Sequence, residues 1–178
     1  MKLENYTPNG FSRGASPLKE ALWILVRLFF FLPALPLPSR LRVGWLRVFG
    51  AQVGRGVVIR NGVHISFPWR LQLGDHVWIG EGVRILSLAE VKIASNVCIS
   101  QEAFLCTGSH DPRSESFDLM THPILIESEC WVAARAFVGP GVKIGKHSII
   151  GAGAVILKEV PINSLVVGNP ARIQPRSE

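Results

Sequence analysis

The feature that most constrains the fold of this 178-residue chain is a six-residue repeat that begins at Val53. Aligned in sixes, residues 53–110 and 126–161 give fifteen hexads, and each hexad begins with Val, Ile or Leu. The fifth position is a small or medium-sized residue in most hexads, and Trp69 is the bulky exception. Two inward-facing positions in every six residues predict a continuous stacked core.

Each hexad is long enough for one short strand and one turn, so three hexads close one coil of a triangular prism. The strands of each coil then pair in parallel with those of the coils above and below. We therefore predict an all-β fold, a parallel β-helix over residues 51–163, with a loop insertion over 111–125 and a C-terminal tail over 164–178. Trp69 predicts a local bulge at the end of the first coil. The repeat alone does not define the hand of the coil.

Residues 1–50 lack the hexad pattern and form a separate N-terminal segment. Its first 16 residues are polar and do not match a secretory signal. Residues 21–32 are almost wholly apolar, but they contain Arg27 and end at a proline, so the run is too short to cross a bilayer as a helix. Ser16 before a proline predicts an N-cap and a helix over 17–32, and a second short helix is expected after Ser39.

Two interpretations of this segment remain open. It is either a cap packed on the β-helix or a peripheral membrane contact through residues 21–49. Arginines beside Trp45 and Phe49 suit both interpretations. The cap is the better expectation, because apolar helices more often cover a core than lie on lipid.

The charge and cysteine content limit the classes of partner. The chain has 19 Lys and Arg against 13 Asp and Glu, a net charge of +6, which favours nucleotides, sugar phosphates or anionic lipid surfaces. The basic residues are scattered and match no nucleic-acid-binding module, so nucleic acid is not an expected partner. Three cysteines without CxxC spacing argue against a disulfide framework and favour a cytoplasmic protein, with the inner face of the membrane as its possible peripheral location.

The repeats and the sequence that follows them resemble a known superfamily. Aliphatic-Gly-x-x-small-x hexads followed by GAGAVILKEVP and VVGNPARI resemble the left-handed β-helix acyltransferases, and the resemblance covers residues 53–174. The stretches SQEAFLCTGSHD and FDLMTHPILIESECWVAARAFVGPGVKIG are similar to the colanic acid biosynthesis acetyltransferase branch, related to maltose, galactoside and nodulation-factor O-acetyltransferases. This resemblance implies a left-handed β-helix and a homotrimer with active sites between subunits. It also implies that acetyl-CoA is the co-substrate and that a sugar hydroxyl of a surface-polysaccharide precursor, small or lipid-linked, is the acceptor.

The same resemblance assigns the general base to His110, next to the loop insertion. A neutral imidazole suits this chemistry, because it can take the proton of an attacking hydroxyl and return a proton to the departing thiolate. Asp111 and His122, in the loop, are candidates for acceptor binding. Asp111 precedes Pro112, so its carboxylate is also a typical turn cap.

For coenzyme A, the resemblance indicates the small residues of the WVAA and GAGAVILK segments, which permit close backbone approach. Basic residues at the end of these segments and in the NPAR tail match positions that meet the phosphate-bearing end. The expected coenzyme-binding residues are Trp131, Ala134, Gly151, Ala152, Lys158 and Arg172. Leu157 departs from the family pattern, since related enzymes often have Ser or Thr there, and this removes one hydrogen bond to the nucleotide end.

Three alternatives compete with this interpretation. Trimeric γ-class carbonic anhydrases share the prism and bind zinc through three histidines. Here His76 and His147 occupy the fourth position of a first hexad, whereas His64 closes a second hexad and His110 a third, so these histidines point to different faces and no metal is expected. A prism of this kind can also act as a non-catalytic scaffold. Finally, the acceptor can be an amine on an amino sugar or amino acid, because His110 can deprotonate either nucleophile.

Overall fold

A computed structural model describes residues 3–6 and 10–176. Its helices lie near the N-terminus: a short 3₁₀-helix (Leu3–Asn5), α1 (Pro17–Val26), which continues as a π-helical turn (Arg27–Phe31), and α2 (Ser39–Val48). The Ser16 hydroxyl accepts a hydrogen bond of 3.3 Å from the Lys19 N–H and caps α1. Both predicted helices are confirmed.

The rest of the described chain consists mainly of short strands joined by turns. In chain order they are β1 (Gln52–Val53), β2 (Val58–Ile59), β3 (His64–Ile65), β4 (Leu71–Leu73), β5 (Trp78–Ile79), β6 (Arg84–Leu86), β7 (Val91–Ile93), β8 (Cys98–Ile99), β9 (Phe104–Cys106), β10 (Gly108–His110), β11 (Leu119–Thr121), β12 (Ile124–Ile126), β13 (Trp131–Val132), β14 (Phe137–Val138), β15 (Lys143–Ile144), β16 (Ile149–Ile150), β17 (Val155–Ile156), β18 (Ser164–Val167) and β19 (Arg172–Pro175).

These strands form the three parallel sheets of a prism. Sheet A has the order β1-β4-β7-β12-β15, sheet B the order β2-β5-β8-β13-β16-β18, and sheet C the order β3-β6-β9-β14-β17. Successive coils stack in register, as in the pairs Val58↔Trp78 and Trp78↔Cys98. The predicted parallel β-helix is confirmed.

The core follows the first position of the repeat closely and the fifth position with three exceptions. Every first-position residue is buried except Val53, which is half-buried. Trp69, Ala89 and Ser109, at the fifth position of the third hexad in the first three coils, lie outside the core. At this corner, between sheets C and A, the buried hydroxyls of Ser87 and Thr107 accept hydrogen bonds of 2.9 Å from the N–H groups of Phe67 and Ala89.

The expected bulge at Trp69 is a 3₁₀ turn over Pro68–Arg70. The indole N–H of Trp69 donates a 2.8 Å hydrogen bond to the Arg13 carbonyl, and the Lys19 ammonium lies 5.0 Å from the ring centroid. Trp69 therefore binds the chain that leads into α1, which explains a large residue at this position.

Two boundaries differ from the sequence prediction. The insertion was predicted over 111–125, but the chain leaves the prism at Gly108 and returns at Ile124. The reason is that β10 pairs antiparallel with β11 and forms a hairpin outside the three sheets. The prism also continues past residue 163, since β18 pairs in parallel with β16, and β19 then folds back antiparallel on β18.

The N-terminal helices cap the first coil. Trp23, Phe31, Leu46 and Phe49 are buried, and the Trp23 indole N–H donates a 2.9 Å hydrogen bond to the Ile65 carbonyl. The cap interpretation is thus confirmed for the inner side of these helices. Within residues 3–6 and 10–176, no helix is long and apolar enough to span a bilayer.

Arg42 in α2 has a structural role that sequence reasoning missed. It is 3% exposed, and its guanidinium donates to the carbonyls of Phe30 (2.8 Å), Leu37 (3.1 Å) and Ile59 (3.3 Å). Burial lowers the pKa of this guanidinium, yet an arginine remains protonated at neutral pH. One side chain therefore joins the π-helical turn after α1, the proline-rich connector and the first coil.

Candidate active site

His110 is the last residue of β10, on the hairpin that leaves the prism at the corner between sheets C and A. It pairs with Leu119 of β11, and Gly108 pairs with Thr121. Paired residues of an antiparallel ladder project to the same side, so the side chains of His110, Leu119 and Thr121 share one face of the hairpin.

The imidazole of His110 is held in one orientation by three contacts. Its Nδ1 lies 2.7 Å from the Phe117 carbonyl oxygen, which can only accept, so Nδ1 carries the proton. The Phe117 ring stacks in parallel on the imidazole at a centroid distance of 4.2 Å, and the Tyr6 ring meets it edge-on at 5.8 Å. In the neutral imidazole the lone pair is therefore on Nε2, which leaves Nε2 to act as the base.

The Phe117 carbonyl is positioned by a polar turn at the hairpin tip. Phe117 has φ of +54°, a left-handed conformation that is strained for a residue with a side chain. The Asp118 carboxylate accepts hydrogen bonds of 2.7 Å from the hydroxyls of Ser114 and Ser116. These bonds hold the pKa of Asp118 below its ordinary value. The Ser-x-Ser-x-Asp run in the insertion was the sequence signal for this turn, and our sequence analysis missed it.

Replacing Asp118 with Ala is expected to lower kcat about tenfold, because the Phe117 carbonyl loses its support and the His110 ring its alignment. The KM for acetyl-CoA stays unchanged, and Asp118→Asn, which keeps one acceptor oxygen, recovers part of kcat. The matched control is Glu115→Ala, exposed in the same turn. An equal fall in kcat for both alanine variants would contradict the assignment.

The sign of the pH effect follows from the lowered pKa of Asp118. The hydrogen bonds from the two serines favour the carboxylate, so this turn is stabilised at neutral pH. That stabilisation is fully present above the ordinary pKa of a carboxyl group, and it is lost as the pH falls from there through the lowered pKa of Asp118.

A cavity of about 360 Å³ lies against the same face of the hairpin as His110. Leu119 and Thr121 line it from β11, and Arg70 lines it from the first coil, where its guanidinium donates to the carbonyls of Ser12 and Leu88. The remaining lining residues are Gly10, Phe11, Ser12, Leu88 and Ala89. This cavity has no signal in the sequence, because its walls come from three distant parts of the chain.

The two predicted loop residues lie at different places. The Asp111 carboxylate accepts a 2.9 Å hydrogen bond from the Arg113 N–H, which is the turn-capping contact. The exposed His122 follows β11, and its backbone N–H donates to the Thr107 carbonyl at the base of the hairpin. This position is three residue pairs along the ladder from His110. The structure does not bring His122 to the imidazole, and acceptor binding by either residue stays a prediction.

Most of the predicted coenzyme-binding residues cluster at the corner between sheets B and C. Ala134, Gly151 and Ala152 occupy turns that stack there, and the Gly153 N–H donates a 2.9 Å hydrogen bond to the Ala134 carbonyl. Trp131 is nearly half exposed beside them on sheet B, with its indole N–H donating to the Ser100 hydroxyl. Small side chains at these turns leave the backbone open to a ligand.

Lys158 and the tail form a separate groove. A cavity of about 240 Å³ is lined by Val155, Leu157 and Lys158 on one side and by Asn169, Pro170 and Ile173 on the other. Arg172, exposed in β19, adjoins this groove. Its apolar walls and flanking cations suit an aromatic ring that carries phosphate groups.

Within one chain, the predicted base His110 and the main cluster of predicted coenzyme-binding residues do not meet. The hairpin that carries His110 leaves the prism at the corner between sheets C and A, and Lys158 lies at the same corner. Ala134 and Ala152 lie at the corner between sheets B and C. Sheet C separates the two corners, so a site that uses both sets of residues is incomplete in a single subunit.

The described residues include five histidines and three cysteines that could in principle serve metal or thiol chemistry. Across residues 3–6 and 10–176, no three His, Cys, Asp or Glu side chains converge on a point that could hold a metal ion. Cys98, Cys106 and Cys130 are free thiols, and burial raises the pKa of Cys130, which disfavours the nucleophilic thiolate.

Comparison with known proteins agrees with the resemblance seen in the sequence. The family profile described as bacterial transferase hexapeptide (six repeats) matches residues 123–158. The Escherichia coli K12 protein named "Putative colanic acid biosynthesis acetyltransferase WcaF" is 43% identical over 164 residues, which cover 92% of this chain and 90% of that one. The E. coli galactoside O-acetyltransferase is 28% identical over 126 residues, 69% of this chain and 62% of that one.

A solved structure extends the comparison to the fold. The crystal structure of a hexapeptide-repeat acetyltransferase from Vibrio cholerae, complexed with acetyl coenzyme A, superposes with a TM-score of 0.84 at 23% sequence identity. The superposition covers 98% of this chain and 97% of that chain, so the N-terminal cap and the prism have the same overall arrangement in the two structures. By its identity to WcaF and its repeat, this chain belongs to the hexapeptide-repeat acetyltransferases.

Proposed function

We propose that this chain transfers an acetyl group from acetyl-CoA directly to a hydroxyl of a sugar in a surface-polysaccharide precursor. The observation that carries the proposal is the imidazole of His110, whose Nδ1 is bound by the Phe117 carbonyl and whose hairpin face borders a cavity of about 360 Å³. A cavity of this size accommodates a sugar residue. Phe11 and the hydroxyls of Ser12 and Thr121 suit the apolar face and polar edges of a pyranose.

His110 performs both proton transfers in this proposal. Its Nε2 takes the proton of the acceptor hydroxyl as that oxygen attacks the thioester carbonyl carbon. The Phe117 carbonyl stabilises the resulting imidazolium through Nδ1–H. When the carbon–sulfur bond breaks, Nε2–H protonates the departing thiolate. The products are a sugar acetyl ester and free coenzyme A, and the imidazole is neutral again.

The coenzyme is bound by the residues that the family resemblance indicates. The pantetheine arm runs past Ala134, Gly151 and Ala152, where small side chains permit backbone contact. Lys158 and Arg172 bind phosphate groups through charge-assisted hydrogen bonds. Leu157 is 64% exposed and offers only an apolar contact at its position.

The enzyme works as a homotrimer, with the hairpin of one subunit acting on coenzyme bound by its neighbour. Supporting this, the outward residues of sheet A are mainly polar, whereas those of sheet B are apolar. The outward residues of sheet B are Val58, Trp78, Cys98, Trp131, Ile149 and Leu165. A continuous apolar face of this kind is typical of a subunit interface.

Replacing Trp78 with Glu is expected to weaken trimer association about 100-fold, because a charge is then buried in an apolar interface. Trp78 is 60% exposed in the single chain, so its replacement leaves the fold intact. Lys92→Glu, at the equivalent outward position of sheet A, is the matched control. Sedimentation velocity at several concentrations measures both proteins, and a trimeric Trp78→Glu protein would contradict the interface.

Transfer to an amine is the second candidate, since His110 deprotonates either nucleophile. Thiol release from acetyl-CoA, measured with free sugars, nucleotide sugars, lipid-linked sugars and amino compounds, separates the two. The proposal expects release with hydroxyl acceptors. Release with amino compounds alone favours the amine, and coenzyme binding without release from any acceptor counts against both.

The three free cysteines agree with a reducing compartment, so the cytoplasm, where acetyl-CoA is available, is the proposed location. Within the cytoplasm, the protein is proposed to contact the inner face of the membrane.

A further inference from the structure

A stripe of exposed apolar side chains runs along the outer side of the first helix. Leu18, Leu22, Leu25, Phe29 and Leu32 follow one another at spacings of four and three residues, which places them on one face. Leu18 is 70% exposed and Phe29 65% exposed, while Trp23 and Phe31 on the other side are buried in the cap. The stripe is about 20 Å long.

The positive charge of the chain is concentrated at this end of the molecule. Residues 11–60 contain eight basic residues and one acidic residue, Glu20, whereas residues 61–178 contain ten basic and eleven acidic residues. Glu20 is paired with Arg13 at 2.8 Å. The +6 net charge of the chain is thus carried by the cap and the first coil, where Arg42 is buried and the exposed basic residues include Arg40, Arg47, Arg55 and Arg60.

We infer that the outer face of the N-terminal cap, defined by Leu18, Leu22, Leu25, Phe29 and Leu32, docks on an anionic phospholipid bilayer. Apolar side chains on one side of a helix with surrounding basic residues are the combination that binds a membrane interface. Arg27, within the same stretch, points inward and donates to the Ile65 carbonyl, so it does not interrupt the apolar face.

The docking face and the cavity beside His110 are joined by the same stretch of chain. Gly10, Phe11 and Ser12 line the cavity, and the chain continues through Arg13 into α1. The cap covers the first coil, and the hairpin with His110 leaves the third coil. The cap and the hairpin are therefore about 10 Å apart along the axis of the prism. A cyclic trimer would place three caps at one end and multiply the membrane affinity. Resting on the proposed function, this arrangement favours an acceptor sugar carried on a membrane lipid.

The test is flotation of the full-length protein with vesicles of phosphatidylcholine alone and of phosphatidylcholine mixed with phosphatidylglycerol. Binding is expected with the anionic vesicles, and it should fall as salt is added. Phe29→Ser lowers the partition coefficient about fivefold, and the triple replacement Leu22→Ser, Leu25→Ser, Phe29→Ser abolishes binding. The matched control is Ile162→Ser, which is 64% exposed in the turn before β18, and it leaves binding unchanged.

Two further measurements make each outcome decisive. The triple variant remains trimeric in sedimentation velocity and releases thiol with a soluble acceptor at the wild-type rate. Equal flotation of the triple variant and the wild type, or no flotation of the wild type with anionic vesicles, overturns the docking face. Loss of the trimer in the triple variant assigns the stripe to a subunit contact instead. Wild-type flotation without thiol release from any acceptor removes the proposed function but not the membrane contact.

Discussion

The His110→Asn protein is expected to fold and to bind coenzyme A normally, and to lose about 10³-fold in kcat/KM. Asparagine is the sharpest replacement, because its amide can still donate to the Phe117 carbonyl, 2.7 Å from Nδ1 in the wild type, while it offers no base at the position of Nε2. The loss should fall on kcat, since the imidazole acts in the transition state and not in binding the coenzyme.

The matched control is His76→Asn. His76 is exposed and has φ of +56°, a conformation that asparagine tolerates well, so this replacement removes an imidazole without strain. Its kcat/KM is expected to stay within twofold of wild type, as measured by thiol release at saturating acetyl-CoA. Retention of activity in His110→Asn would remove His110 from the mechanism.

Replacing Arg42 with Met is expected to lower the free energy of unfolding by about 3 kcal/mol, the largest effect on stability that we predict. The carbonyls of Phe30, Leu37 and Ile59 lose their donor inside the protein, and an apolar side chain cannot satisfy them. Because α2 contacts β1 and β2, the first coil should loosen together with the cap.

Urea unfolding measures the effect, with Arg40→Met as the matched control. Arg40 is exposed two residues earlier in the same helix, so its replacement should change the free energy of unfolding by less than about 0.5 kcal/mol. If Arg42→Met is as stable as Arg40→Met, the buried guanidinium is not what joins the cap to the prism.

The sequence predicted the prism well because its core positions recur with a fixed period. An aliphatic residue at the first position, as in Ile59, Ile79 and Ile99, stacks directly on its equivalents in the next coils. The position of such a residue in the repeat therefore predicts that it is buried. The helix start at Ser16 was predictable for a similar reason, since a cap is a local interaction.

The rule that fifth-position side chains enter the core was wrong at the corner between sheets C and A in the first three coils. Ala89 and Ser109 fit the pattern, yet the side chains that fill the interior there are Ser87 and Thr107, which exchange hydrogen bonds with the neighbouring coils. The phase of the hexads does not encode such pairing of side chains with the backbone, nor does it encode the early departure of β10 from the prism.

The sequence indicated His110 as the candidate base, but it did not predict the contacts that surround His110 in the structure. His110 was found by resemblance, whereas the Phe117 carbonyl depends on the conformation of a turn, and the Arg70 side of the cavity depends on contacts between residues more than 50 positions apart. The distribution of His110 and Ala134 over two corners of the prism required the strand order.

Identification of the product tests the central claim most directly. The wild-type protein is incubated with acetyl-CoA labelled with ¹³C in the acetyl group and with a polysaccharide repeat unit as acceptor, and the product is examined by NMR. The account predicts a labelled acetyl ester on a sugar oxygen, formed in proportion to the thiol released and absent with His110→Asn. A labelled amide on an amino sugar, label appearing only as free acetate, or equal ester formation by His110→Asn would contradict it.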